Sequence, residues 1–269
     1  MADGRAPRRG PEYTLDLLWR ARRPGSRGPR GSLTLDQIVR TAMEIADAEG
    51  IAGLSMRKVA ERLGMTTMSL YRYIPGKDEL LELMFDAASG RPDSGSWPDD
   101  WRGGLAAFAR GSRAALLARP WSMDIPVSGP PMGPNNLAWM EAGLSRMNGT
   151  PLTEEDMIGV LMVLSGFVLG QTRLERSVDQ AVSRTGVSYD ELGRVYGRLM
   201  AKVAVDGRFP TLARIIRAGV FESEQQSAEG DFEYGLEFIL DGVAVMIRNR
   251  ELQAARAGGA GAGGTGPPG

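Results

Sequence analysis

Between Met65 and Ile74 the chain reads MTTMSLYRYI, and only Met65, Leu70 and Ile74 in it have the character of core residues. The others, Thr67, Met68, Ser69, Tyr71, Arg72 and Tyr73, gather hydroxyls, aromatic rings, a thioether and a guanidinium on one short segment. Their chemistry is recognition. Arginine grips guanine O6 and N7, hydroxyls serve base edges or phosphates, and a methionine presses on a thymine methyl. Lys77 follows at the start of the next helix, where its charge and the free backbone N–H groups suit a phosphate. A purely structural reading has Tyr71 and Tyr73 stapling helices together, but it accounts less well for Thr67, Ser69 and Lys77.

The elements that must present these side chains are legible around them. In SMRKVAERLG, Ser55 is read as the N-cap, and Val59, Ala60 and Leu63 recur at helical spacing opposite the solvated Arg57, Lys58, Glu61 and Arg62. Gly64 stands where that helix must stop, because a left-handed closing residue costs glycine no Cβ clash. Thr66 caps a second helix expected to reach about Tyr73, and Pro75-Gly76 ends it. Two helices joined by a glycine-containing turn are the helix-turn-helix signature. Upstream, Thr34 and Gln37 form a capping box for a helix to about Glu49, with Leu35, Ile38, Ala42, Ile45 and Ala46 on its inner face. Downstream, Lys77 to Ala88 makes a helix whose Leu80, Leu81, Met84 and Phe85 link this head to the remainder of the chain.

The stretch Leu33 to Met84, with its AEGIAGLS entry, RKVAERLG, SLYRYIPGK and the following ELL, resembles the DNA-binding domain of the tetracycline-repressor (TetR) family of bacterial regulators. The resemblance implies an all-α homodimer: an N-terminal three-helix DNA-binding head with the helix-turn-helix, and a larger helical ligand-binding and dimerisation body. By position, Arg57, Thr67, Met68, Ser69, Tyr71 and Tyr73 fall where family members touch operator DNA, and Lys77 falls on their phosphate contact.

Composition agrees with this and excludes much else. The 269 residues include neither Cys nor His, which removes thiolate metal sites, the Ser-His and Cys-His triads and the commonest metal ligand. No cofactor, metal or enzymatic activity is expected, and a tetracycline-magnesium ligand, which would want a pocket imidazole, is not expected either. Net charge is only −1, yet residues 1–75 carry 13 Lys and Arg against 8 Asp and Glu, with the excess reversed afterwards. A basic leading region directs that side toward phosphate. The longest apolar run, Gly159 to Gly170, is too short to span a bilayer and reads as a buried helix. With no signal peptide visible, the reading is cytoplasmic.

Four regions are expected: a flexible arm over 1–32, mostly disordered but with an amphipathic island at Tyr13 to Trp19 and a nascent turn around Leu15, Leu17, Leu18 and Trp19, the head over 33–90, the body over 96–251 and a disordered Gly/Ala-rich tail over 252–269. The arm carries Arg22, Arg23, Arg27 and Arg30 and is read either as a minor-groove and phosphate contact or as a solvated tail. SGRPDSGSWPD (Ser89 to Asp99) marks the domain break. Trp121 to Asn136, with four prolines, cannot be a regular element, and such loops are often functional. Trp101, Phe108, Trp121, Met123, Trp139, Met140, Met162 and Phe167, with Met132 and Met147, supply the area and deformability of a binding cavity. Gln171 adds a polar contact. Ordinary core remains the alternative for each. Gly159, Gly166 and Gly170 on the long helix and Gly235 and Gly242 on the last read as a close helix approach, either across a dimer interface or within one subunit.

With the resemblance, these features imply a repressor that binds a pseudo-palindromic double-stranded operator as a homodimer and is released by a small apolar or amphipathic effector. Two rivals stand beside it. One is a DNA-binding regulator without a small ligand, controlled by a protein partner. The other is an enzyme carrying a DNA-binding head, which would need a convergent carboxylate pair in a cleft.

Overall fold

Short polar side chains cap five of the described helices, at Thr34, Ser55, Thr66, Asp100 and Thr153. A computed structural model describes residues 11–20, 33–126, 129–186, 189–203, 208–222 and 227–261, and every regular element among them is helical. By internal contacts the chain divides into two units, Met1–Thr150 and Pro151–Gly269.

In the first unit, α2 (Leu35–Glu49) opens on the expected capping box. Gln37 N donates to Thr34 Oγ1 at 3.2 Å and Thr34 N to Gln37 Oε1 at 2.8 Å. Helix α3 (Met56–Arg62) is capped by Ser55, whose Oγ accepts from Lys58 N at 3.3 Å. It ends in a Schellman arrangement, with Gly64 at φ +68°, Gly64 N donating to Glu61 O and Met65 N to Ala60 O. Helix α4 (Thr67–Leu70) is shorter than the sequence suggests: Thr66 caps it, and beyond Leu70 the chain continues as turns, with Tyr73 N and Ile74 N both donating to Leu70 O. Helix α5 (Lys77–Ser89) comes next. Ile38, Ile45, Val59, Leu70, Ile74, Leu80 and Met84 are completely buried in the core these helices share.

Within the stretch read as a flexible arm there is a helix, α1 (Pro11–Arg20), packed against α5 with Leu17 and Leu18 buried. Ten residues make a marginal helix alone; burial of those leucines supplies what local propensity lacks. The arm's arginines at 22, 23, 27 and 30 lie outside the described residues, as does residue 262 onward.

Asp100 caps α6 (Trp101–Ala118) by accepting from Gly103 N at 2.8 Å, and a short 3-10 turn (Pro120–Asp124) leads toward α7 (Pro134–Ser145). Helix α5 packs against both α6 and α7, so the contact boundary falls after Thr150, beyond the Ser89–Asp99 break at which the sequence places the division.

In the second unit, α8 (Glu154–Thr185) opens on a capping box between Thr153 and Asp156. It packs on α11 (Ala228–Gly261), with Phe167 and Phe232 rings 5.4 Å apart. Gly235 permits this: a Cβ there would lie 2.5 Å from Phe167 Cε2. The last helix runs past the expected end at residue 251. Between them, α9 (Tyr189–Val203) packs with α10 (Pro210–Arg217) and a 3-10 turn at Val220–Glu222; α10 has no counterpart in the sequence reading.

Helix α8 is long and apolar enough to cross a membrane by length and composition, and most of its apolar stretch is not buried. It is not the buried helix expected from its sequence. Ile158, Met162, Val163 and Leu174 are exposed along it, as are Tyr234, Phe238, Val245, Met246 and Leu252 on α11.

Candidate functional site

The second helix-turn-helix segment sits on a closed core and points its other side chains out. Leu70 and Ile74 are fully buried beneath it, while Met68, Tyr71 and Tyr73 are 75%, 43% and 36% exposed. The Arg72 side chain is exposed and makes no ion pair or hydrogen bond with any described residue. Thr67 and Ser69, expected to face outward, are only half-exposed, and the Ser69 hydroxyl lies 3.0 Å from that of Thr66. Ser69 thus serves the cap of its own helix, which short hydroxyl side chains do readily.

The basic groups around this ridge are partly committed. Arg57 is exposed and pairs loosely with Glu61 one turn on, at 3.5 Å. Lys58 pairs with Glu49. Lys77 is exposed, and its Nζ donates to Leu54 O at 2.8 Å, which ties the start of α5 to the turn before α3 and leaves two N–H bonds for another acceptor.

The aromatic and methionine set does not form one group. Phe108 and Trp139 come together in the first unit, with ring centroids 5.8 Å apart, and Trp97, absent from the expected set, completes their cluster at 6.3 and 5.7 Å. Trp139 Nε1 donates to Ser89 O and Gly90 O. Trp101 and Met140 are half-buried in the same unit; Met147 is fully buried. Trp121 belongs to the core of the first unit and donates from Nε1 to Asp47 Oδ1 at 2.6 Å; Met123 is buried two residues on. In the second unit Phe167 is spent on Phe232, Gln171 is half-buried, and Met162 is 70% exposed on the open apolar stripe.

The first unit also holds a cavity of about 350 Å³ between α1, α5 and the proline-rich segment. Thr14 and Leu18, Glu82 and Phe85, and Ile125 and Met132 line it from these three sides. Of these only Met132 belongs to the set expected from sequence, although the four prolines mark the segment. Asp86, also at the cavity, is buried and accepts from Asn135 N, Asn135 Nδ2, Asn136 N and Asn136 Nδ2 at 2.8 to 3.1 Å. Glu82, one turn earlier, has no such partner. Burial first, then the charges of Glu79 and Asp78, push its carboxyl above the usual range. At the start of α8, Arg250 holds Asp156 in a bidentate pair at 2.8 and 2.9 Å, which draws the Asp156 carboxyl down to about 2.

Two family models match a chain of this geometry. "Bacterial regulatory proteins, tetR family" covers residues 38–84, and "Tetracyclin repressor-like, C-terminal domain" covers residues 92–247. The HTH-type transcriptional repressor DrrR1 of Streptomyces coeruleorubidus is 38% identical over 90% of this chain and 88% of its own. The tetracycline repressor protein class A from transposon 1721 of Escherichia coli is 27% identical over 80% of this chain and 93% of its own. Among solved structures, Streptomyces coelicolor ActR in complex with actinorhodin aligns over 81% of this chain and 99% of that one, with a TM-score of 0.66 and 28% identity.

Proposed function

Because this chain belongs to the TetR family of bacterial transcriptional regulators, we propose that it is a ligand-responsive repressor that binds a pseudo-palindromic operator as a homodimer in the cytoplasm. The outward ridge of the second helix-turn-helix segment carries the reading: Met68, Tyr71, Arg72 and Tyr73 exposed over a sealed core. Such side chains have no structural partner to satisfy, and their chemistry fits base edges and phosphates in a major groove. Arg57, Thr67, Ser69 and Lys77 complete the interface, with Thr67 and Ser69 at its edge.

Dimerisation is supported by the unpartnered apolar rows of α8 and α11. Ile158, Met162 and Leu174 follow a four-residue step whose intervening members, Gly166 and Gly170, have open space where a side chain would stand. Exposed apolar rows of this extent mark interaction surfaces, and glycines among them allow a second helix to approach closely. A twofold dimer would place the two ridges in successive major grooves, roughly 34 Å apart.

The region over 96–251 is the effector-binding and dimerisation body in this reading, with Trp101, Phe108, Trp121, Met123, Trp139, Met140, Met162, Phe167 and Gln171 as its proposed ligand contacts. Trp121 and Met162 are the weakest members of that set, since one is tied to Asp47 and the other faces outward. The repressor role rests on DrrR1 and the tetracycline repressor, and the small-molecule effector on ActR, whose structure holds actinorhodin. An effector favouring the conformation with misaligned heads would shift the population off DNA by its difference in affinity.

Selection from a randomised duplex pool at low salt tests this. The expected outcome is enrichment of a pseudo-palindrome with half-sites about one helical turn apart, bound by a dimer. A monomer that enriches no sequence would sink the proposal.

A further inference from the structure

The cavity beneath α1 is apolar on most of its wall and carries two carboxylates one helical turn apart. Asp86 is spent on the amino end of α7. Glu82 is not: it is half-buried, its side chain makes neither hydrogen bond nor ion pair to any described residue, and its charged neighbours on α5 are the acids Asp78, Glu79 and Asp86. A carboxylate set against apolar walls without a counter-ion is costly, and the raised titration of Glu82 is the signature of that cost. A volume of about 350 Å³ falls in the range of small-molecule sites. Its remaining walls, Leu18, Phe85, Ile125, Met132 and the prolines at 126, 130 and 131, offer contact to an apolar body.

We propose that this cavity is a binding site for a small cationic amphiphile, an ammonium or comparable monocation on an apolar frame, with Glu82 as its counter-ion. A neutral molecule would leave Glu82 uncompensated, and an anion would oppose it. Helix α1 forms one wall and is fastened across the site by Trp19, whose Nε1 donates to Met132 O at 3.2 Å. The floor is α5, whose first residue, Lys77, is bonded to Leu54 O beside the helix-turn-helix. An occupant pressing on Glu82 and Phe85 therefore touches the helix whose first residue is tied to the turn that leads into α3. That regulatory consequence rests on the function proposed above; the binding itself does not.

Isothermal titration of the full-length chain with three matched probes tests the site: 2-(2-naphthyl)ethylammonium, 2-(2-naphthyl)ethanol and 3-(2-naphthyl)propionate. The ammonium is expected to bind at least tenfold more tightly than the alcohol, and the propionate weakest. Glu82→Gln should lower ammonium affinity about tenfold and leave the alcohol within twofold, while Glu82→Asp keeps the cation preference; circular dichroism confirms that each variant is folded. Equal binding of the three probes by the wild type, or an undiminished cation preference in Glu82→Gln, would overturn the site and leave the regulator reading intact. A chain that binds no duplex in an anisotropy titration yet discriminates the probes through Glu82 would overturn the regulator reading and support the site.

Discussion

Asp86 accepts the backbone N–H of Asn135 at 2.8 Å, so a side chain of α5 closes the amino end of α7. The same oxygen takes Asn136 N at 3.0 Å, which satisfies two N–H groups that a helix start leaves open. A negative charge at this end also suits the helix dipole. Gly133 makes room for it, since a Cβ there would lie 2.2 Å from Asp86 Oδ1. Asp86→Ala is expected to cost about 2–4 kcal/mol, because it strands buried donors; Asp86→Asn, which keeps one acceptor, should cost less. Urea midpoints at neutral pH decide this, and an Asp86→Ala midpoint equal to that of the wild type would refute the clamp.

Tyr71→Ala and Arg72→Ala remove exposed side chains of the ridge. Each should weaken binding to the selected operator by about 1–3 kcal/mol without changing the thermal midpoint. Lys77→Ala should act differently: the slope of log K against log salt falls by about 1, and the lost bond to Leu54 O lowers stability slightly as well. Anisotropy titrations at three salt concentrations separate the two patterns. Unchanged slope with Lys77→Ala would remove the phosphate contact.

Glu82→Gln bears on stability as well as on ligand. Its carboxyl is raised, so the charged form is disfavoured in the folded state and the penalty is present at neutral pH. Protonation relieves that penalty as pH falls. The glutamine variant should therefore melt higher than the wild type at pH 8, with the gap narrowing toward pH 4. Equal melting curves at both pH values would show that Glu82 finds compensation in solution.

Legibility in the sequence tracks the range of the interactions. Thr34 with Gln37, Ser55, Gly64 and Thr66 act on neighbours three or four residues away, and each does what its type and spacing indicate. The fold class and the exposed Met68, Tyr71 and Tyr73 come from such local patterns. Long-range pairings leave no comparable trace. Trp121 reads equally as pocket or core until Asp47, far away in sequence, accepts its N–H. Helix α1 shows in the sequence as no more than an amphipathic island with a nascent turn, because its ten residues depend on the face of α5 that covers Leu17 and Leu18. The Glu82 cavity arises where three segments meet; the prolines, Met132 and a carboxylate near Leu81, Leu83 and Phe85 are its scattered sequence signals.

The open rows on α8 and α11 make a sharper demand on the dimer. Met162 and Phe238 are 70% and 63% exposed, each in a row with glycines that nothing covers, Gly166 and Gly242. If a second copy buries them, Met162→Glu or Phe238→Glu places an unpaired charge in an apolar interface, costing about 3 kcal/mol or roughly a hundredfold in dimer dissociation constant. Sedimentation equilibrium should show monomer at concentrations where the wild type is dimeric. A dimer of unchanged affinity in both variants would move the interface elsewhere.

Asp156 binds Arg250 through two hydrogen bonds and Thr153 N through a third, joining the start of α8 to the far part of α11. Its carboxyl lies at about 2 in the folded chain, against an ordinary value of about 3.9. A depressed carboxylate contributes stability that is fully present above the ordinary value and lost as pH falls through the folded one. Removing the guanidinium with Arg250→Gln takes most of that contribution away. The wild type should therefore melt higher than the variant by a constant margin from pH 7 down to about 4. Between about pH 4 and 2 the margin should shrink, because protonated Asp156 has no charge to offer either chain. Thermal melts across this range read the pair directly, and a margin that persists unchanged at pH 2 would mean that Arg250 stabilises α11 by packing instead of by charge.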